Sequence, residues 1–178
     1  MKLKLLPLSR VYRLLEPGPV VMLTTESGGR RNVMAMSWHT MLDFEPPLVG
    51  CVVSDRNHTF QLLKRSKECV IAIPTVELAR IAVKVGNVSG RTVDKFAKFG
   101  IATMQASTVK APLIRHCYAN LECKVIDASM AEKYDFFVVE VMKAWINPGI
   151  KQPRTIHHCG KGVFMVAGKI IKLPSKMK

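Results

Sequence analysis

No apolar run in the 178-residue chain approaches the roughly 20 residues that a membrane-spanning helix needs. Nor does the start resemble a secretory signal: Lys2 and Lys4 interrupt a short leucine run that Pro7 ends, and no small-residue cleavage site follows. The expectation is a cytoplasmic protein with no membrane partner. Aromatic residues make up only 7% of the chain, and none form a stripe interleaved with Arg and Lys. That absence weakens the nucleic-acid-binding reading that the net charge of +14 invites. Eight of the surplus cations lie at the ends, as Lys2, Lys4, Arg10 and Arg13 and as Lys169, Lys172, Lys176 and Lys178. Basic ends are commonly solvated tails, and a basic body attracts phosphorylated cofactors, so no nucleic-acid partner is expected.

Paired cysteines are absent too. Cys51, Cys69, Cys117, Cys123 and Cys159 are odd in number and irregularly spaced, which suits a reduced compartment and not a disulfide framework. His116-Cys117 with Cys123, and His157-His158-Cys159, lack the Cys-x-x-Cys spacing of structural zinc. Neighbouring residues on a strand point to opposite faces, so 157–159 could not share one ion from a regular strand, and no metal site is expected. There is no Gly-rich dinucleotide fingerprint, no phosphate loop and no catalytic triad or carboxylate pair, so no side chain stands out as catalytic.

Apolar residues account for 48% of the sequence, enough for a substantial core, and the length suits one domain over 1–178, its core at about 12–171. Strands are expected at 20–25 after the Pro17-Gly18-Pro19 turn, at 32–39, at 48–54, at 69–73, at 118–128, at 136–145 after a turn near Glu132, and at 162–171. Helices are expected after the caps Asp55, Asn57 and Thr59, at 76–85 before Gly86, and at 94–99 before Gly100. Short strands with inserted helices predict a mainly β fold, an antiparallel barrel decorated by helices.

The informative stretch is 32–59. Ser54-Asp55-Arg56-Asn57-His58-Thr59 offers a cation, hydroxyl donors and helix N-terminal N–H groups, which a phosphate needs. A simple helix cap with a surface Arg56 explains the same residues. Met34, Ala35, Met36, Ser37, Trp38 and His39 mix small and polar residues into a strand, so that a flat ligand could approach the backbone. Trp38 could form an aromatic wall, although Trp38, Met34 and Met36 equally suit a core.

The order Asn-x-Met-Ala-x-Ser-Trp (32–38), Pro-Pro-Leu-Val (46–49), Ser-x-Arg-x-His-Thr (54–59) and Val-Ser-Gly-Arg-x-x-Asp-Lys-Phe (88–96) resembles the flavin reductase-like family that includes flavoredoxin, over about 12–171. The resemblance implies a split β-barrel that binds FMN non-covalently, in a homodimer with the flavin near the subunit interface. It implies that Asn32 and the backbone of Ala35, Met36, Ser37 and Trp38 line the flavin ring, with Met34 beside them. Ser54, Arg56, His58 and Thr59 would hold the phosphate. Ser89, Arg91, Lys95 and Phe96 would close over the ribityl chain or phosphate, Arg91 or Lys95 placing positive charge near the ring. His157 or His158 would lie by the flavin or the nicotinamide entrance. The implied activity is transfer of electrons from NAD(P)H through FMN to a small acceptor or a redox partner protein. A non-catalytic flavoredoxin-like electron carrier is the alternative.

Overall fold

The computed structural model describes residues 2–11 and 18–174; Arg13, Pro17, Lys176 and Lys178 lie outside them. Its main sheet is antiparallel throughout, in the order β3 (Arg30–Met36), β2 (Val21–Ser27), β6 (Glu68–Ile73), β9 (Ala119–Asp127), β10 (Phe136–Ile146), β5 (Pro47–Val52), β4 (His39–Phe44). The eleven-residue β10 serves two partners along one edge. Its first half pairs with β5, and its last residues pair with β1 (Lys4–Leu6). Two short hairpins, β7 (Thr103–Met104) with β8 (Leu113–Ile114) and β11 (Ile156–His158) with β12 (Phe164–Val166), flank the sheet.

Period-two alternation explains why the central strands read as unbroken apolar runs. Val21 and Leu23 of β2, Ile71 and Ile73 of β6, Leu121 of β9 and Val139 of β10 point into the barrel. The opposite face of the same strands is also covered. Met22 and Ala72 pack with Ala82 and Val85 of α2 (Ala79–Gly86) and with Phe96 of α3 (Lys95–Lys98). The β2–β3 hairpin closes through Gly28 and Gly29 at φ 60° and 77°, the paired positive angles of a two-residue turn whose twist matches the strands.

Helix α1 (His58–Ser66) buries Phe60, Leu62 and Leu63, and Phe60 meets Phe137 edge-to-face at 5.3 Å. It stops at Lys67, which adopts a left-handed conformation with φ 56°. No helix among the described residues is long and apolar enough to cross a membrane.

Three expectations need correction. The strand anticipated at 32–39 divides: β3 ends at Met36, and β4 starts at His39 on the far side of the sheet. The turn near Glu132 is a short helix, α4 (Ala131–Tyr134), closed by left-handed Asp135. The strand expected at 162–171 shrinks to β12, because Gly160, Lys161 and Gly162 all take positive φ and exposed Ile170 and Ile171 have no sheet to join.

One buried carboxylate fastens the 105–112 loop to the barrel. Glu122 on β9 is fully buried and accepts from the backbone N–H and hydroxyl of both Ser107 and Thr108, and from Trp145 Nε1 at 2.6 Å. Burial pushes its carboxyl up, but these donors together outweigh burial and leave it below the ordinary glutamate range. Its stabilising contribution is therefore complete above the unfolded-state value of about 4.3 and fades as pH falls through the lower folded-state value. Glu122→Gln turns an amide donor toward two backbone N–H groups and should cost about 1–3 kcal/mol near neutral pH. Thermal melts of both proteins should show that gap narrowing below about pH 4; a gap of constant size would refute the assignment.

Candidate functional site

The site is assembled where β3, the start of α1 and the segment after α2 converge. Asn32, 3% exposed on β3, donates from Nδ2 to Thr59 Oγ1 in the first turn of α1 at 2.8 Å. Its Oδ1 is buried and has no hydrogen-bond partner. Leaving such an acceptor unmet costs about 1–3 kcal/mol. Above it passes Gly90, so close that an added Cβ would lie 2.0 Å from Asn32 Oδ1.

Beside this amide is a cavity of about 260 Å³, lined by Asn32, Arg56, His58, Thr59, Ser89 and Lys95 among others. Asn57 heads α1 without a side-chain cap, so the helix's first N–H groups face the cavity's rim at the positive end of its dipole. The surroundings are cationic. Burial first, then Arg30, Arg91, Lys95 and Arg65, hold the His58 imidazole below its ordinary value. Lys95 is 5% exposed, and its Nζ donates to the carbonyls of Val33 and Val85 at 2.8 Å each, tying β3 to α2. Burial brings its pKa down to about 8.

A second cavity of about 300 Å³ continues from the first and shares Ala35, Gly86 and Asn87 with it. Its walls are largely apolar, from Val20, Met36, Ala82 and Phe164, with Ser37 and His158 as polar points. The small residues Ala35 and Gly86 keep the floor low; even a Cβ on Gly86 would meet Ala35 only at van der Waals distance, 3.6 Å. His158 lies against Phe164 with ring centroids 5.1 Å apart. The adjoining His157 alternates to the other face, where Nε2 is 3.4 Å from Thr155 Oγ1. The two cavities together fall in the range of small-molecule sites, roughly 300–1,000 Å³.

Most of the residues singled out in the sequence meet here. Asn32, Met34, Ala35, Arg56, His58, Thr59, Ser89 and Lys95 line the polar cavity, and Met36 and Ser37 line the apolar one. Four do not line either. Trp38 is 72% exposed because the chain leaves β3 at Ser37 and crosses to β4. Phe96 is turned into the outer core beneath the guanidinium of Arg31, 5.1 Å from its ring centroid. Ser54 shapes the turn before α1, where its hydroxyl accepts from Arg56 N–H. Arg91 lines a neighbouring cavity that adjoins the first at Gly90.

Gly86, Asn87, Gly162 and Phe164 were not anticipated as lining residues. They come from a helix end and a hairpin far apart in the chain, and only the Gly86 stop signal hinted at the first two. The Gly90–Asn32 contact makes a direct prediction. Gly90→Ala must displace the Asn32 amide, costing about 1–3 kcal/mol of stability by overpacking. A denaturant melt indistinguishable from wild type would show that the amide is not held as described.

Comparison with known proteins agrees with this architecture. An uncharacterised Escherichia coli protein, YddH, is 35% identical over 176 residues, covering 91% of this chain and 93% of that protein. An FMN-binding domain of a flavin reductases-like enzyme from Shewanella baltica superposes with a TM-score of 0.90 at 29% identity, covering 97% of this chain and 98% of that one. Flavoredoxin from Desulfovibrio vulgaris shares the fold at a TM-score of 0.81 and 20% identity, covering 89% and 91%. The family model for the flavin reductase like domain matches residues 12–164, and the chain belongs to that split-barrel family.

Proposed function

We propose that the paired cavities bind FMN non-covalently and that the protein is an oxidoreductase drawing electrons from NADH or NADPH. The observation that carries this reading is a cationic cavity at the start of α1, lined by Arg56, His58 and Lys95, that is continuous with an apolar slot across Ala35, Gly86 and Asn87. A flavin nucleotide has both matching ends: an anionic phosphate and a flat, largely apolar ring.

The chain's own residues divide the work. Arg56, the Thr59 hydroxyl and the uncapped N-terminus of α1 would take the phosphate, because a guanidinium and free backbone N–H groups satisfy its oxygens directly. Lys95 supplies positive charge to the same cavity while two of its N–H bonds are donated to the Val33 and Val85 carbonyls. Ala35, Met36 and Ser37 would bear the ring, with His158 and Phe164 at its open side as the approach for a nicotinamide. Bound FMN would supply the redox chemistry, and the protein contributes position and electrostatics. Electrons would leave to a small acceptor or a redox partner protein.

We also infer a homodimer. Trp38, 72% exposed, follows Ser37 of the cavity wall directly in the chain, and a second copy covering it would close the slot.

Equilibrium titration tests the site. FMN should bind at least tenfold more tightly than riboflavin, and Arg56→Ala should weaken FMN by about tenfold or more while leaving riboflavin nearly unchanged. Equal affinities for the two flavins would remove the phosphate role. Steady-state oxidation of NADH or NADPH in the presence of flavin should show turnover; binding without turnover would favour the electron-carrier alternative.

A further inference from the structure

A cavity of about 460 Å³ opens where β6 and β10 stop and β9 begins, and it shares no lining residue with the two cavities assigned to flavin. Thr75 follows β6, His116 precedes β9, and Asn147 follows β10 directly, with Lys151 and Arg154 on the loop beyond it. Asn147 is the fixed point. It is 7% exposed, its N–H donates to the Tyr118 carbonyl at 2.8 Å, and its own carbonyl accepts from the Ile150 N–H at 3.2 Å. Its Oδ1 accepts from the Gly149 N–H at 3.0 Å, which orients the amide and turns Nδ2 the other way. No group among the described residues accepts from Nδ2, although a buried amide ordinarily finds partners for its donors. The sealed, partnerless side-chain atoms among those residues belong to Thr25, Asn32 and His39, so Asn147 Nδ2 is open to the cavity that its residue lines.

The rim is cationic. His116, Lys151 and Arg154 are exposed there, and none has a carboxylate partner, since among the described residues the one ion pair is Lys64 with Glu132. Glu77 is the acid of this cavity, and its neighbours already engage it. The Thr75 hydroxyl and its own backbone N–H hold its carboxyl below the ordinary glutamate range, and Arg154 adds a smaller pull from beyond ion-pair distance. A guanidinium, an ammonium, an imidazole and an unmet amide donor therefore surround one space. A lone carboxylate, with two oxygens, is served by a single guanidinium. The three terminal oxygens of a phosphate monoester can engage several such donors at once. The volume leaves room for an organic group on the fourth oxygen.

We propose that this cavity binds a small organic phosphate monoester, held by Arg154, Lys151 and the Asn147 amide with His116 beside them. The site stands apart from the flavin cavities and does not depend on them.

The test is a two-dimensional amide NMR titration of the protein as purified, with inorganic phosphate and with glycerol phosphate, at a constant ionic strength of about 0.15 M. Both anions should produce saturable shifts at the Asn147 side-chain amide and the Gly149 N–H. Acetate should bind there about tenfold more weakly. The double variant Lys151→Gln, Arg154→Gln should weaken both phosphates by about tenfold or more, its unmoved barrel-strand amides reporting an intact fold. Phosphate taken up near Arg56 and His58 moves a different set of amides, so the two sites are read separately. No saturable shift at Asn147 and Gly149 would overturn the proposal. So would exclusion of glycerol phosphate, equal affinity for acetate, or unchanged affinity in the double variant.

Discussion

The carboxamide of Asn32 lies where three segments remote in sequence come within bonding distance. One face of it donates to Thr59 at the head of α1, and the other lies under Gly90 with no room for a side chain. Displacing it would loosen the start of α1, the crossing at 88–91 and the start of β3 together. Two further contacts hold the same junction: Lys95 bridges β3 and α2 through Val33 and Val85, and Asp94 caps the short helix that carries Lys95. The cavities are thus by-products of how these segments are fastened. Their rigidity matters because a ligand held by a preformed site pays less ordering entropy on binding.

Electrostatics follow from the same geometry. The acids near the site are consumed structurally, Asp94 as a cap and Asp135 as an acceptor for the Asp55 N–H. Arginines from β3, from the turn before α1 and from the loop after α2 are left facing one groove. Five of the chain's cations, Arg30, Arg31, Arg56, Arg91 and Lys95, are thereby gathered around cavities of small-molecule size.

How legible this was depended on how locally each feature is encoded. The start of α1 could be read because Asn57, Thr59 and the Phe60, Leu62, Leu63 face are adjacent in sequence. Strands β2 and β6 could be read because burial on both faces leaves an apolar run. The break between Met36 and His39 could not, since strand-favouring residues continue across it and Trp38 still accepts a sheet-like hydrogen bond from Val52. Lys95 and Phe96 are a similar case: Asp94 announces their helix, but tertiary packing decided that Lys95 faces the cavity and Phe96 the core. Strands of two or three residues such as β7, β8 and β11 are too short to show a period. The wall formed by Gly162 and Phe164 arises from contacts across more than half the chain, and no local pattern signals them.

The central claim is that these cavities hold FMN, and the visible absorption spectrum of the protein as purified, with the heat-released cofactor identified by chromatography, tests it most directly. The account predicts a flavin spectrum and about one FMN per chain. A colourless protein that also takes up no added FMN would contradict it.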